Sequence, residues 1–246
     1  MGYAAALLLV LICASATAGA QDLRRATVWN LEIGQPVAAQ PSPQEFRGFA
    51  CGANGGPPRQ PLNGWGDFMR CRAEADGLRE VYFEYDDEYE YVARARDLPR
   101  EISRWAGTTE AGFPVMVSAL FDVAGTLKGV RMVTDPRPEH RNDIAEANRK
   151  KRAEAYLLGG LMAARFGIDA ARDCTALPAA AGESAVGTLF IKQSCELVAR
   201  GIKIALRVSY FRKPGQSGVN PQLPTQMTQG QFESAARLEL REAGNP

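Results

Sequence analysis

The densest group of chemically capable side chains is an acidic turn with tyrosines on both sides. Its carboxylates are Asp86, Asp87, Glu88 and Glu90, and the tyrosines are Tyr82, Tyr85, Tyr89 and Tyr91. Carboxylate oxygens can hold calcium, and two converging acids can hydrolyse a glycosidic bond. However, the D-x-[DN]-x-[DN]-G loop is missing, and strand alternation would place neighbouring acids on opposite faces. A solvated turn is therefore favoured over a metal site, and we predict neither a metal nor a cofactor.

The strand and turn around these acids form the predicted binding surface, because aromatic side chains are enriched in the centres of interfaces. The residues assigned to it are Tyr82, Tyr85, Asp86, Asp87, Glu88 and Tyr89. The alternative function is a carboxylate-dependent hydrolase that uses the Asp86, Asp87 and Glu88 region. That alternative requires two of these acids to converge in one cleft.

Other catalytic arrangements find little support in the residues. The chain has a single histidine, His140, in a charged stretch typical of a protein surface. A Ser-His-Asp or Cys-His system would need this histidine as its base, and one histidine cannot build a multi-histidine metal site. Residues 182–186 miss the G-x-S-x-G elbow by their last position. The leading prediction is therefore a non-catalytic binding or protein-interaction module.

Four cysteines follow a repeated layout. Cys51 and Cys71 are 20 positions apart, Cys174 and Cys195 are 21 apart, and a glycine follows each second cysteine after six residues. The repetition predicts an internal duplication and favours the local disulfides Cys51–Cys71 and Cys174–Cys195, although sequence alone leaves the crossed connectivities open. A four-cysteine zinc site is disfavoured because close C-x2-C pairs are missing.

The first twenty residues have the layout of a secretory signal peptide. An apolar run at residues 4–12 is followed by small residues that end in Ala18-Gly19-Ala20, which predicts cleavage after Ala20. The run is too short to cross a bilayer, and no Lys or Arg precedes it, so an uncleaved anchor is the alternative. Export would leave four cysteines in an oxidising compartment. We therefore expect a periplasmic or secreted protein with no transmembrane segment in the mature chain.

Composition limits the partners. The chain of 246 residues has a formal net charge of +1 and is 46% hydrophobic, enough for a proper core. Such a charge balance does not indicate binding to nucleic acid. The predicted partner is an envelope protein or a small ligand.

These patterns predict an α+β protein, mainly of antiparallel β meanders, with one long helix between two cystine-stapled halves. The predicted units are a signal peptide at 1–20, a β-rich half at 21–136, a connecting helix segment at 137–167 and a second β-rich half at 168–246. Period-two alternation bounded by turn residues predicts the strands. The helix is predicted from a long segment whose first half is polar and whose second half is apolar. The expected strands are 68–74, 78–85, 88–96 (or a helix), 114–122, 127–134, 187–198, 202–213 and 231–242 (or a helix), with an edge strand near 28–33 and the helix at 139–166.

The hairpin at 114–134 and the following helix resemble small α+β modules of bacterial envelope proteins. One such module is the C-terminal domain of energy-transducing TonB-type proteins. The resemblance covers only the hairpin and helix and has no diagnostic motif. It therefore implies a local fold and no site residue.

Overall fold

A computed structural model describes residues 26–46, 48–56, 58–84, 96–98, 109–135, 153–214 and 232–244. Its main element is one antiparallel sheet of ten strands. The strands are β1 (Gly48–Cys51), β2 (Pro61–Leu62), β3 (Arg79–Glu84), β4 (Thr109–Glu110), β5 (Phe113–Phe121), β6 (Leu127–Thr134), β7 (Cys174–Ala176), β8 (Ile191–Ala199), β9 (Ile202–Arg212) and β10 (Phe232–Glu242). Their order is β2-β1-β3-β5-β6-β10-β9-β8-β7, with β4 paired to β5.

One face of this sheet is apolar because the strands alternate. In β9, Ile204, Leu206 and Val208 are buried, whereas Lys203 and Arg207 on the other face are exposed. The apolar face of an antiparallel sheet packs on the core, while the opposite face carries polar groups. The pairing of β6 with β10 joins the two predicted halves into a single sheet.

Two sets of elements cover the apolar face. Four 3-10 helices, Val28–Asn30, Val37–Ala39, Pro43–Glu45 and Trp65–Arg70, belong to the N-terminal part, where Phe46, Phe49, Trp65 and Phe83 pack edge-to-face. Helix α1 (Leu157–Phe166) lies on β9 and β10, and the short helix α2 (Ala170–Asp173) leads into β7.

A glycine sets how closely α1 approaches the sheet. A Cβ atom at Gly159 would lie 2.3 Å from a methyl group of Val208, so only glycine fits there without a shift. The helix ends at Gly167, which has a left-handed φ of 68°, the conformation that favours glycine at a helix C-terminus. The predicted helix end at residue 166 is confirmed.

Both local disulfides are present, so the predicted pairing is confirmed. Cys51 in β1 bonds to Cys71, which follows the 3-10 helix Trp65–Arg70. Cys174 in β7 bonds to Cys195 directly opposite it in β8. Because the two cystines join different kinds of element, the internal duplication stays a prediction.

Two predicted strands are wrong. Residues 68–74 were expected to form a strand, but Trp65–Arg70 is a 3-10 helix that buries Trp65 and Phe68 three positions apart, the repeat of that helix. The expected edge strand near 28–33 begins instead as the 3-10 helix Val28–Asn30. There the Thr27 hydroxyl caps the helix and the Asn30 side chain bonds back to the Thr27 N–H, a local arrangement that competes with strand pairing.

The other strand predictions within the described residues are confirmed, although β8 begins at Ile191 rather than near residue 187. The choice of a strand for 231–242 is confirmed over Phe232–Glu242. Of the predicted helix 139–166, residues 139–152 lie outside the described residues, and turn residues 154–156 precede α1. The predicted strand or helix at 88–96 also lies almost wholly outside them. Within the described ranges, no helix combines the length and apolar character needed to cross a membrane.

Candidate functional site

Tyr82 is the one member of the predicted binding surface among the described residues. Its side chain is buried, with 4% of the residue exposed. The hydroxyl accepts a hydrogen bond from the Gly55 N–H at 2.8 Å and donates one to the Gly56 carbonyl at 3.0 Å. Burial, followed by the nearby Glu80 charge, raises the pKa of this phenol. Tyr82 therefore holds down the loop 52–56.

The remaining predicted site residues, Tyr85, Asp86, Asp87, Glu88 and Tyr89, lie outside the described residues, as does His140. The hydrolase alternative depends on three of these acids. No observation on the described residues therefore favours it.

A charged cluster centred on Arg131 occupies the polar face of the sheet. The Arg131 side chain is only 2% exposed and contacts three carboxylates. Its Nη1 donates to Glu80 at 2.7 Å and to Glu74 at 2.8 Å, and its Nε donates to Glu239 at 2.9 Å. These acids come from β3, from β10 and from the turn before β3, so the cluster ties separate parts of the chain together.

Neighbouring groups satisfy the Glu80 carboxylate further. The Ser118 hydroxyl donates to one oxygen at 2.8 Å, and the Asn54 backbone N–H donates to the other at 2.5 Å. Gly52 makes room for this arrangement, because a Cβ there would lie 2.3 Å from the Glu80 Cγ. Burying a carboxylate is costly unless it is paired and hydrogen-bonded, and Glu80 has both kinds of partner.

Electrostatics favour the charged forms of two members of the cluster, Glu239 and Arg131. Burial opposes ionisation of both Glu239 and Arg131, but the opposite charges outweigh it. Arg131 and Arg237 lower the pKa of Glu239 to about 2, and the pKa of Arg131 is raised by Glu74, Glu80 and Glu239. A general acid works best with a pKa near the operating pH. Glu239 and Arg131 are therefore suited to holding the sheet together rather than to proton transfer.

A separate open cleft of about 610 Å³ lies where the N-terminal 3-10 helices meet the end of α1. Its lining residues are Ala26, Thr27, Trp29, Asn30, Glu32, Ala39, Pro41, Glu45 and Arg165. They combine an aromatic ring, three charged side chains and small apolar residues. Ligand sites commonly join a concave surface of this size to a few placed polar groups.

Contacts around Trp29 hold one wall of the cleft in place. The Arg165 guanidinium lies over the indole ring, 3.9 Å from its centroid, and the Phe166 ring lies 5.9 Å away, centroid to centroid. The indole N–H donates to Glu110 at 3.0 Å. A second Glu110 oxygen is 3.7 Å from Arg165, an ion pair too long for a hydrogen bond. The guanidinium is thus positioned by its flat face.

Partly buried hydrogen bonds order other residues that line the cleft. The Gln40 side chain, which is buried, accepts from the Glu32 backbone N–H at 3.0 Å and donates to the Glu32 carbonyl at 3.1 Å. One Glu45 oxygen accepts from the Ala26 N–H at 2.8 Å. The cleft wall is therefore held by specific contacts.

Sequence reasoning missed this cleft. Residues 26–45 contain several prolines and have no ligand-binding motif. Arg165 lies in the last turn of a helix, where a positive charge is already explained by the helix dipole. The available signal was a tryptophan in a segment without regular structure, which alone does not indicate a partner. The Arg165 guanidinium and the Trp29 indole are 136 residues apart in the chain, so no local pattern connects them.

Within the described residues, no group of three or more His, Cys, Asp or Glu side chains could hold a metal ion. No protein-family model matches the chain, and no curated protein or solved structure gives a significant match.

Proposed function

We propose that this protein is an exported binding module of the bacterial envelope that takes a small polar ligand in the cleft between Trp29 and Glu45. The observation that carries the proposal is the cleft itself. Its volume of about 610 Å³ lies within the roughly 300–1,000 Å³ typical of ligand sites. An ordered indole, a guanidinium and two carboxylates line it, which gives both shape and polar contacts to a ligand.

The proposed location is the periplasm or the extracellular space. Two disulfides support an oxidising compartment, since such bonds are rare in the cytosol. The signal-peptide pattern at 1–20 supports export. Intact-mass measurement of protein from the envelope fraction tests this directly: the expected chain begins at Gln21, and a chain that retains residues 1–20 would contradict cleavage.

Native mass spectrometry of the purified protein tests the binding proposal. We expect a small molecule to remain bound to the wild type and to be lost when Ala39→Phe fills the cleft. Ala179→Phe is the matched control, because Ala179 is exposed and does not line the cleft. A ligand retained by the Ala39→Phe variant would show that the cleft is not its site.

Thermal unfolding with a panel of small polar compounds provides a second measurement. A ligand that binds only the folded state stabilises it by about 2.7 kcal/mol at a hundredfold excess over Kd. The Ala39→Phe variant should lose this stabilisation, whereas Ala179→Phe should keep it.

A further inference from the structure

We propose that the cleft ligand is a small zwitterion, such as a free amino acid or a short peptide. Its carboxylate would bind Arg165, and its ammonium group would bind the carboxylates of Glu45 and Glu32. This inference rests on the proposed function and names the ligand class for the same site.

Arg165 provides the carboxylate-binding end. Its side chain is 44% exposed, and its nearest carboxylate oxygen lies at 3.7 Å. The guanidinium makes no hydrogen bond to any described residue, so its N–H groups are available around the ring edge. Arginine binds a carboxylate through two parallel hydrogen bonds, and stacking on Trp29 reduces the freedom lost when these bonds form.

Glu45 and Glu32 provide the ammonium-binding end. Glu45 uses one oxygen to accept from the Ala26 N–H and has a second oxygen available. Glu32 is exposed, and neither acid forms an ion pair with a described residue. An ammonium group has three donors and no acceptor, which matches these carboxylate oxygens.

The charge of the lining distinguishes between ligand classes. Arg165 contributes +1 and the two glutamates −2, so the lining carries a net charge of −1. A phosphate group brings about −1.5 to −2 at neutral pH and would be repelled by both acids. A neutral sugar would bring no charge to balance the two glutamates, neither of which has an ion-pair partner among the described residues. A molecule with one carboxylate and one ammonium satisfies both ends of the cleft.

Isothermal titration calorimetry with three matched dipeptides tests this inference. The probes are Ala-Ala, N-acetyl-Ala-Ala, which lacks the ammonium group, and Ala-Ala-amide, which lacks the carboxylate. Each capped form loses the hydrogen bonds of one charged group, and we therefore expect it to bind about tenfold to hundredfold more weakly than Ala-Ala.

Variants assign each end of the ligand to a residue. Arg165→Gln should make Ala-Ala and its amide bind equally, while Glu45→Gln should reduce the difference between Ala-Ala and the acetylated form. Arg172→Gln is the control, because Arg172 lies on α2 and does not line the cleft. It should bind all three probes like the wild type.

The outcomes separate this inference from the proposed function. Equal binding of all three dipeptides, or no binding of Ala-Ala, would overturn the zwitterion assignment. In either case, a different compound that stabilises the wild type but not Ala39→Phe would leave the binding function standing. If no compound does so, the cleft is not a ligand site.

Discussion

Replacing Arg131 with methionine tests the role of the buried charged cluster. Methionine keeps much of the side-chain length and removes the positive charge. Glu80 would then remain in a site where its side chain is 2% exposed, with no cation to balance it. Glu74 and Glu239 are 22% and 18% exposed and can gain hydration. Most of the expected cost therefore arises at Glu80.

The expected loss in the free energy of unfolding is about 3–5 kcal/mol, the range for breaking a buried ion pair by removing one partner. Adding Glu80→Gln should recover part of that loss, because the amide is neutral and its oxygen can still accept from Ser118 or Asn54. We expect the double variant to be less stable than wild type by about 1–2 kcal/mol, the cost of one or two lost hydrogen bonds.

Urea unfolding of the oxidised protein measures these differences. The fluorescence of buried Trp65 and the far-ultraviolet circular dichroism should report one transition with an unchanged m-value. Lys128→Met is the control, since its ion pair with Glu242 is exposed on both sides, and such pairs contribute about 1 kcal/mol or less.

Two results would refute the reasoning. The first is a free energy of unfolding for Arg131→Met within about 1 kcal/mol of the wild-type value, which would mean that the buried Glu80 charge is not costly. The second is a double variant that is less stable than Arg131→Met alone. That result would show that lost packing, rather than an unpaired charge, causes the destabilisation.

Three further predictions concern stability. The pKa of Glu239 is about 2 in the folded state against an ordinary value of 4.5. Its contribution to the free energy of unfolding, about 3 kcal/mol, is therefore present above pH 4.5 and is lost as the pH falls towards 2. Glu239→Gln should flatten the dependence of stability on pH in that window, and an unchanged acid unfolding curve would contradict the assignment. Replacing the two cysteines of either disulfide with serine should cost about 3 kcal/mol, because each closes a loop of about 20 residues; urea unfolding measures the loss, and a change below 1 kcal/mol would be inconsistent with it. Gly159→Ala should destabilise the protein by about 1–3 kcal/mol, because the added Cβ clashes with Val208. At Gly160 an added Cβ would meet no atom of another part of the chain within 4 Å, so Gly160→Ala should stabilise α1 by up to about 1 kcal/mol. Thermal unfolding compares the two variants, and equal effects would exclude the clash.

Much of the sheet could be predicted from sequence because alternation directly reports one-sided burial. The hairpin at 113–134 and the long strands β9 and β10 all carry this pattern with suitable turns. The cysteine spacing likewise favoured the two observed disulfides. The signal peptide, the duplication and the acidic binding surface remain predictions.

The 3-10 helix Trp65–Arg70 could not be identified by the same logic. Its residues permit alternation, but its conformation depends on burying Trp65 against Phe46 and Phe49 and on closing the Cys51–Cys71 bond. These partners come from β1 and from the segment before it. Tertiary packing therefore overrides the local pattern.

The sequence by itself determined the long alternating strands β5, β6 and β9, the favoured cysteine pairs and the end of α1, because these depend on patterns within short stretches of the chain. Only the tertiary structure decided that Arg131 is buried, since its position in an alternating strand predicts a solvent-facing side chain. Its partners Glu80, Glu74 and Glu239 lie 51, 57 and 108 positions away. The same holds for the cleft, where a helix end brings Arg165 onto Trp29. Such contacts arise when strand order and loop packing bring distant side chains together, and no local pattern encodes that distance.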